Sequence, residues 1–123
     1  MGKVLFSIKP KFAEKILSGE KKYEFRRAIF KNPDIKSVII YASSPVQKVI
    51  GEFDVNQILK LHPDFLWEKT SGGSGIDKAY FDEYFKDREL GFAIKVNNPK
   101  RYDCPQDLIS LGVKTPPQSF CYL

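Results

Sequence analysis

The stretch Ser37-Val38-Ile39-Ile40-Tyr41-Ala42-Ser43 is the strongest constraint in this sequence. It is β-branched and aromatic, lacks a helical period, and is apolar enough to be the central strand of a sheet. A central strand needs partners on both edges, and the chain offers several. Residues 3–8 read as a first strand with Val4, Phe6 and Ile8 on one face. Residues 22–29 read as a second. Residues 47–55 return from the Ser44-Pro45 break, with Gly51 marking a bulge or close backbone approach. Residues 90–96 and 119–123 complete the set. Between them, Pro10 fits the first turn of a helix to Ser18 that pairs Phe12 with Ile16 and Ala13 with Leu17, and Gly19 stops it. Further helices are expected around 63–69, from an Asp77 N-cap to Lys86, and around 106–110. Ile76 is placed to staple onto Phe81. The pattern implies an α+β fold: a small, mostly antiparallel barrel of five or six mixed strands with about three short helices, in one domain over residues 1–123.

A chain of 123 residues with 42% hydrophobic side chains can bury a core of its own. No apolar run approaches the ~20 residues a membrane span requires, and the first residues lack the pattern of a signal peptide. Cys104 and Cys121 form no CxxC or Cys/His cluster, so neither a disulfide scaffold nor zinc is expected. The expectation is a cytoplasmic protein without metal or cofactor. The net charge of +5 is unevenly spread. Residues 1–36 hold ten Lys/Arg against four acids, and the remainder is close to neutral. A basic segment on a neutral body attracts polyanions such as nucleic acid; it is equally the pattern of a solvated lysine-rich surface.

The densest chemical signal is Gly19-Glu20-Lys21-Lys22-Tyr23-Glu24-Phe25-Arg26. On a strand, Lys22, Glu24 and Arg26 share one face, with Tyr23 and Phe25 on the other. Lys21 sits at the strand mouth. A carboxylate beside a guanidinium and an ammonium can bind a planar polar ligand, the acid accepting from base N–H groups and the cations holding phosphate or carbonyl oxygen. A lysine crowded by Arg26 and desolvated has a lowered pKa and can do acid–base work with Glu24. The same residues also make an ordinary charge ladder on an exposed strand.

The spacing Gly19-x-Lys21-x-x-Glu24-x-Arg26 resembles the G-x-K-x-x-E-x-R motif of ASCH domains, in the PUA-like superfamily. Residues 5–10, the Tyr41-Ala42-Ser43-Ser44-Pro45 turn, Gly51-Glu52-Phe53 and Pro116-Pro117-Gln118-Ser119-Phe120 extend the likeness to small stand-alone bacterial and archaeal members. The resemblance implies a PUA-like barrel with a cleft beside the motif, and an RNA-binding or RNA-acting module tied to translation or transcription. One branch resembles an acetylcytidine amidohydrolase, and other members cleave single-stranded RNA. Lys21 and Arg26 match that branch's lysine activator and arginine. Glu24 departs from it, standing where the branch has a threonine nucleophile, and a carboxylate cannot supply the same alkoxide.

Ser7, Lys9, Gly19, Lys21, Lys22, Glu24, Arg26, Tyr41, Ser43 and Ser44 are therefore the candidate RNA- or nucleotide-binding residues, with Lys21 and Glu24 the candidate catalytic pair. Arg27 joins the phosphate contacts. Ser44 also suits the start of the turn before Pro45. The expected partner is RNA or a nucleotide-like ligand; a protein-interaction role stays open. Residues 71–75 lack the signature of a phosphate-binding loop and suit a flexible connector or a lid. In the Tyr80, Phe81, Tyr84, Phe85 stripe, Phe81 and Phe85 belong to a core. Trp67 reads as packing, His62 as a surface loop residue and Glu52 as a solvent-facing acid.

Overall fold

The computed structural model describes residues 2–123. Six strands form one curled, mixed sheet: β1 (Lys3–Ile8), β2 (Tyr23–Arg26), β3 (Ser37–Ala42), β4 (Lys48–Leu61), β5 (Gly91–Gln106) and β6 (Phe120–Tyr122). Their order is β2-β5-β4-β3-β1-β6, with β1 and β3 parallel and the other pairs antiparallel. Three helices accompany them: α1 (Pro10–Ser18), α2 (Pro63–Thr70) and α3 (Lys78–Tyr84). The fold is α+β with six mixed strands and three helices, as expected, but the expected barrel is a half-barrel: β2 and β6 stand at the two ends of the strand order and do not pair.

The parallel pair sits deepest. Val4 and Phe6 of β1 and Val38 and Ile40 of β3 pack into the main core with Ala13 and Ile16 of α1. Leu5, Ile39 and Tyr41 point to the opposite face, where Leu108 and Leu111 cover them. A parallel pair must be covered on both faces, which is why these strands read as unbroken apolar runs. A separate cluster of Phe25, Leu66, Phe81 and Phe85 holds α2 and α3 against β2 and β5. Burying each such phenylalanine contributes about 1.5–3 kcal/mol.

The helix signals act as read. Gly19 ends α1 at φ 88°, its N–H donating to the Ile16 carbonyl. Asp77 accepts from the Tyr80 amide at 2.8 Å, and Ile76 packs against the Phe81 cluster. Gly51 is a close approach: a Cβ there would lie 2.6 Å from the Lys100 carbonyl oxygen, and the register shifts beside it.

Several boundaries differ from expectation. β4 and β5 run 14 and 16 residues, far beyond 47–55 and 90–96. Bulges let them bend and continue as a largely exposed ribbon, where long-range pairing overrides the weak strand propensity of Asn97, Asn98, Pro99 and Pro105. β2 is shorter than 22–29 because the chain bends away after Arg26. The helix around 106–110 is a 3-10 turn, Leu108–Leu111. Residues 71–75 are no open tether: they contain a 3-10 turn, Ser71–Gly73, and pack on Lys21 and Lys22. Among the described residues, no helix is long and apolar enough to cross a membrane.

Candidate functional site

The motif lies where α1 hands over to β2. After Gly19 reverses the chain, the Lys21 amide donates to the Lys15 carbonyl at 2.9 Å and the Lys22 amide to the Gly73 carbonyl at 2.7 Å. These bonds fix the entry to the strand. Glu24 and Arg26 then fall on one face, as the period of two requires, and both are buried. Arg26 Nη1 donates to Glu24 Oε2 at 3.0 Å, and Nη2 donates to the backbone oxygen and to Oγ of Ser119, both at 2.8 Å. The guanidinium also lies 4.3 Å over the Phe6 ring. The charge-ladder alternative fails here, because an exposed ladder does not bury both members.

Lys21 is only 2% exposed. Its Nζ donates to the Ser74 carbonyl at 2.6 Å and lies 4.7 Å from the Phe25 ring centre and 5.5 Å from that of Phe12. Among the described residues it has no carboxylate within ion-pair distance. Burial pushes its pKa down to about 8; Glu24 pulls it back up, and Lys15 adds to the fall. Of the two causes expected from sequence, desolvation is the main one, and crowding by Arg26 is not among those that lower it. Gly75 holds φ +68°, and a Cβ there would meet the Lys21 stem at 2.7 Å. The glycines of this loop thus let its backbone close over the lysine, a role the bare Ser/Gly composition did not disclose.

These groups form the floor of a cavity of about 780 Å³. Ser7, Tyr41, Ser43 and Ser44 line it from β1 and the end of β3. Ser7 Oγ donates to the Pro117 carbonyl at 2.7 Å, which ties residues 116–119 down as a further wall. Tyr80 and Tyr84 face it from α3, and Lys9, Arg27 and Arg88 stand at its rim. Among the described residues, the lining therefore holds five cations and one carboxylate, Glu24, with no His or Cys.

Two of the candidate binding residues lie elsewhere. Gly19 serves as the helix cap, and the exposed Lys22 ammonium donates back to the Gly19 carbonyl at 3.0 Å. Both are absent from the cavity lining, since Lys22 follows the strand mouth with its stem under Gly73. Arg88 and the walling role of residues 116–119 were not foreseen. Helical spacing does not place Arg88, because α3 ends at Tyr84 and the chain turns through Asp87 at φ 62° before it. Phe81 and Phe85 are core, and Trp67 packs on Phe81 at 5.0 Å. His62 caps α2, its Nδ1 accepting from the Asp64 amide at 3.2 Å. Glu52 is half-buried and accepts from the Tyr102 hydroxyl at 2.8 Å. Both cysteines are free thiols.

A family model, the ASCH domain, matches residues 6–100. The chain is 33% identical to part of a protein named ATP synthase subunit alpha, and 29% identical to part of one named large ribosomal subunit protein uL22, both from Ureaplasma parvum. It aligns over 98% of its length in each case but spans only 15% and 39% of those relatives. An ASCH domain-containing ribonuclease of Zymomonas mobilis is 30% identical, over 97% of this chain and 82% of that protein. The crystal structure of an ASCH protein from Zymomonas mobilis superposes with a TM-score of 0.89 at 28% identity, covering 99% of this chain and 87% of that one.

Proposed function

Because the chain belongs to the ASCH domain family, we propose that it binds single-stranded RNA in the cavity over Lys21, Glu24 and Arg26. The observation that carries this reading is the charge of the lining, five cations to one carboxylate around a volume of about 780 Å³. Cations in a concave, poorly solvated setting draw polyanions more strongly than the same charges spread on a surface. Lys21 and the remaining N–H groups of Arg26 suit a phosphate or base carbonyl, and Glu24 suits a base amino group. The test is titration of a short single-stranded RNA across salt concentrations. The logarithm of affinity is expected to fall against the logarithm of salt by about 0.7 per phosphate contacted. No binding at low salt, or a flat dependence, rejects the reading.

A second reading is favoured by the ribonuclease name of the Zymomonas mobilis relative and by the low pKa of Lys21. In it the site cleaves the RNA it binds. The Glu24 carboxylate takes the proton of a ribose 2′-hydroxyl as that oxygen attacks phosphorus. The bond from phosphorus to the 5′-oxygen breaks, and the Lys21 ammonium protonates the departing oxygen. The products are a 2′,3′-cyclic phosphate and a 5′-hydroxyl end, and solvent restores both groups. A pKa near the working pH suits a general acid. The lining carries one carboxylate and no imidazole or thiolate, a donor set poorly suited to a metal ion. Turnover of single-stranded RNA that falls as the pH rises through about 8, and that is lost in Lys21→Met and Glu24→Gln, supports cleavage. Equal residual turnover in both variants assigns it to a contaminant.

A further inference from the structure

The cavity is charged in two tiers. On the floor, Lys21 and Arg26 are buried and Glu24 offsets one of them. The rim carries Lys9, Arg27 and Arg88, all exposed, and among the described residues none of the three has an ion-pair partner. Most of the positive charge therefore lies at the mouth, where a ligand confined to the floor would leave it unused.

Two of the three rim cations are held by tyrosines of α3. Arg27 follows the last residue of β2, so the strand pleat no longer dictates its side and it turns to the cavity mouth beside Arg26. Its guanidinium lies 4.6 Å over the Tyr84 ring. Tyr84 is itself fixed, its hydroxyl donating to the Phe25 carbonyl at 3.3 Å and its ring packing on Phe85 at 4.8 Å. One turn earlier on α3, the Tyr80 hydroxyl accepts from Lys9 Nζ at 3.4 Å. Arg88 lies beyond Tyr84, its amide donating to the Phe85 carbonyl at 3.0 Å. A stacked guanidinium keeps its N–H edge available while losing little freedom on binding an anion.

We propose that Lys9, Arg27 and Arg88 form a rim station for a second phosphate, so that the ligand of this site is an oligonucleotide and not a nucleoside or single nucleotide. The inference rests on the RNA-binding reading and adds direction to it. Arg88 also lines a smaller depression whose other walls include Asp64, Asp82, Asp87 and Glu89. These four carboxylates repel a polyanion beyond Arg88, so the strand leaves on the Lys9 side.

The experiment compares a nucleoside monophosphate with a single-stranded tetranucleotide RNA at low salt, in wild type, Arg27→Gln/Arg88→Gln and Arg27→Lys. Wild type is expected to prefer the tetranucleotide by at least about tenfold, the scale of one charge-assisted contact. The double variant is expected to lose most of that preference, with a salt slope for the tetranucleotide smaller by about 0.7. Arg27→Lys, which keeps the charge without the stacked plate, is expected to keep the salt slope and lose part of the preference. A preference retained in the double variant overturns the rim station while leaving RNA binding intact. Equal wild-type affinity for the two ligands overturns it as well. Failure of wild type to bind either one overturns the RNA reading and the rim with it.

Discussion

Arg26 and Ser119 stand at opposite edges of the sheet and are joined by two hydrogen bonds of 2.8 Å. Arg26 ends β2, one outer strand, and Ser119 immediately precedes β6, the other. The half-barrel is thus linked across its open seam by a side chain, without backbone pairing between its edge strands. The same guanidinium neutralises Glu24 and forms part of the cavity floor. Closure of the fold and construction of the site share one residue.

Removing Arg26 leaves Glu24 buried without its ion-pair partner, with Lys21 acting on it only at longer range. Arg26→Met is expected to cost about 3–5 kcal/mol, read as a lower urea midpoint. Adding Glu24→Gln should recover much of that loss, because the stranded charge is then gone. Ser119→Ala removes one of two acceptors and keeps the carbonyl, so about 1–2 kcal/mol is expected. Strictly additive losses for Arg26→Met and Glu24→Gln would show the pair to be energetically independent.

The depressed pKa of Lys21 makes stability depend on pH in a defined direction. The unfolded lysine holds its proton up to its ordinary value of 10.5, whereas the folded one releases it near 8. Between those values the unfolded chain binds more protons, so this group's contribution to stability rises with pH. Below about 8 its burial penalty is fully present, on the order of 3 kcal/mol. Urea unfolding of wild type and Lys21→Met should therefore shift in favour of wild type as the pH climbs from 8 to 10.5. A constant difference across that window means Lys21 is not desolvated.

Gly75→Ala tests the loop over Lys21. The substitution meets a positive φ and a Cβ contact of 2.7 Å with the lysine stem. About 1–2 kcal/mol of destabilisation is expected from the left-handed backbone alone. RNA affinity should fall as well, since the loop supplies the carbonyl that holds the ammonium. An alanine variant with unchanged melting and binding would show that the loop moves aside freely.

Phe81→Ala and Phe65→Ala contrast a buried aromatic of α3 with an exposed one of α2. Phe81 is fully buried against Phe25, Trp67 and Phe85, and its removal should cost about 3–5 kcal/mol. Phe65 is 59% exposed, so its removal should change stability by less than about 0.5 kcal/mol. Calorimetry of the two variants checks both values.

Much of this was legible in the chain because it depends on local chemistry. Pro10, Gly19 and Asp77 mark helix ends through backbone geometry and capping that need no distant partner. The period of two placed Glu24 with Arg26, and the apolar run at 38–42 marked the centre of the sheet. The extents of β4 and β5 were not legible, because pairing, not propensity, holds their exposed halves.

The sequence by itself determined the elements, the sheet-centred core and the basic motif on a strand leaving a helix. Only the tertiary structure decided which of those charges work together. It brought Ser119 to Arg26 across 93 positions of sequence and Ser74 to Lys21 across 53. It also turned Lys22 out of the cavity and Arg27 and Arg88 toward it. Burial and long-range hydrogen bonding set these outcomes, and both are properties of the closed sheet and its packed loop.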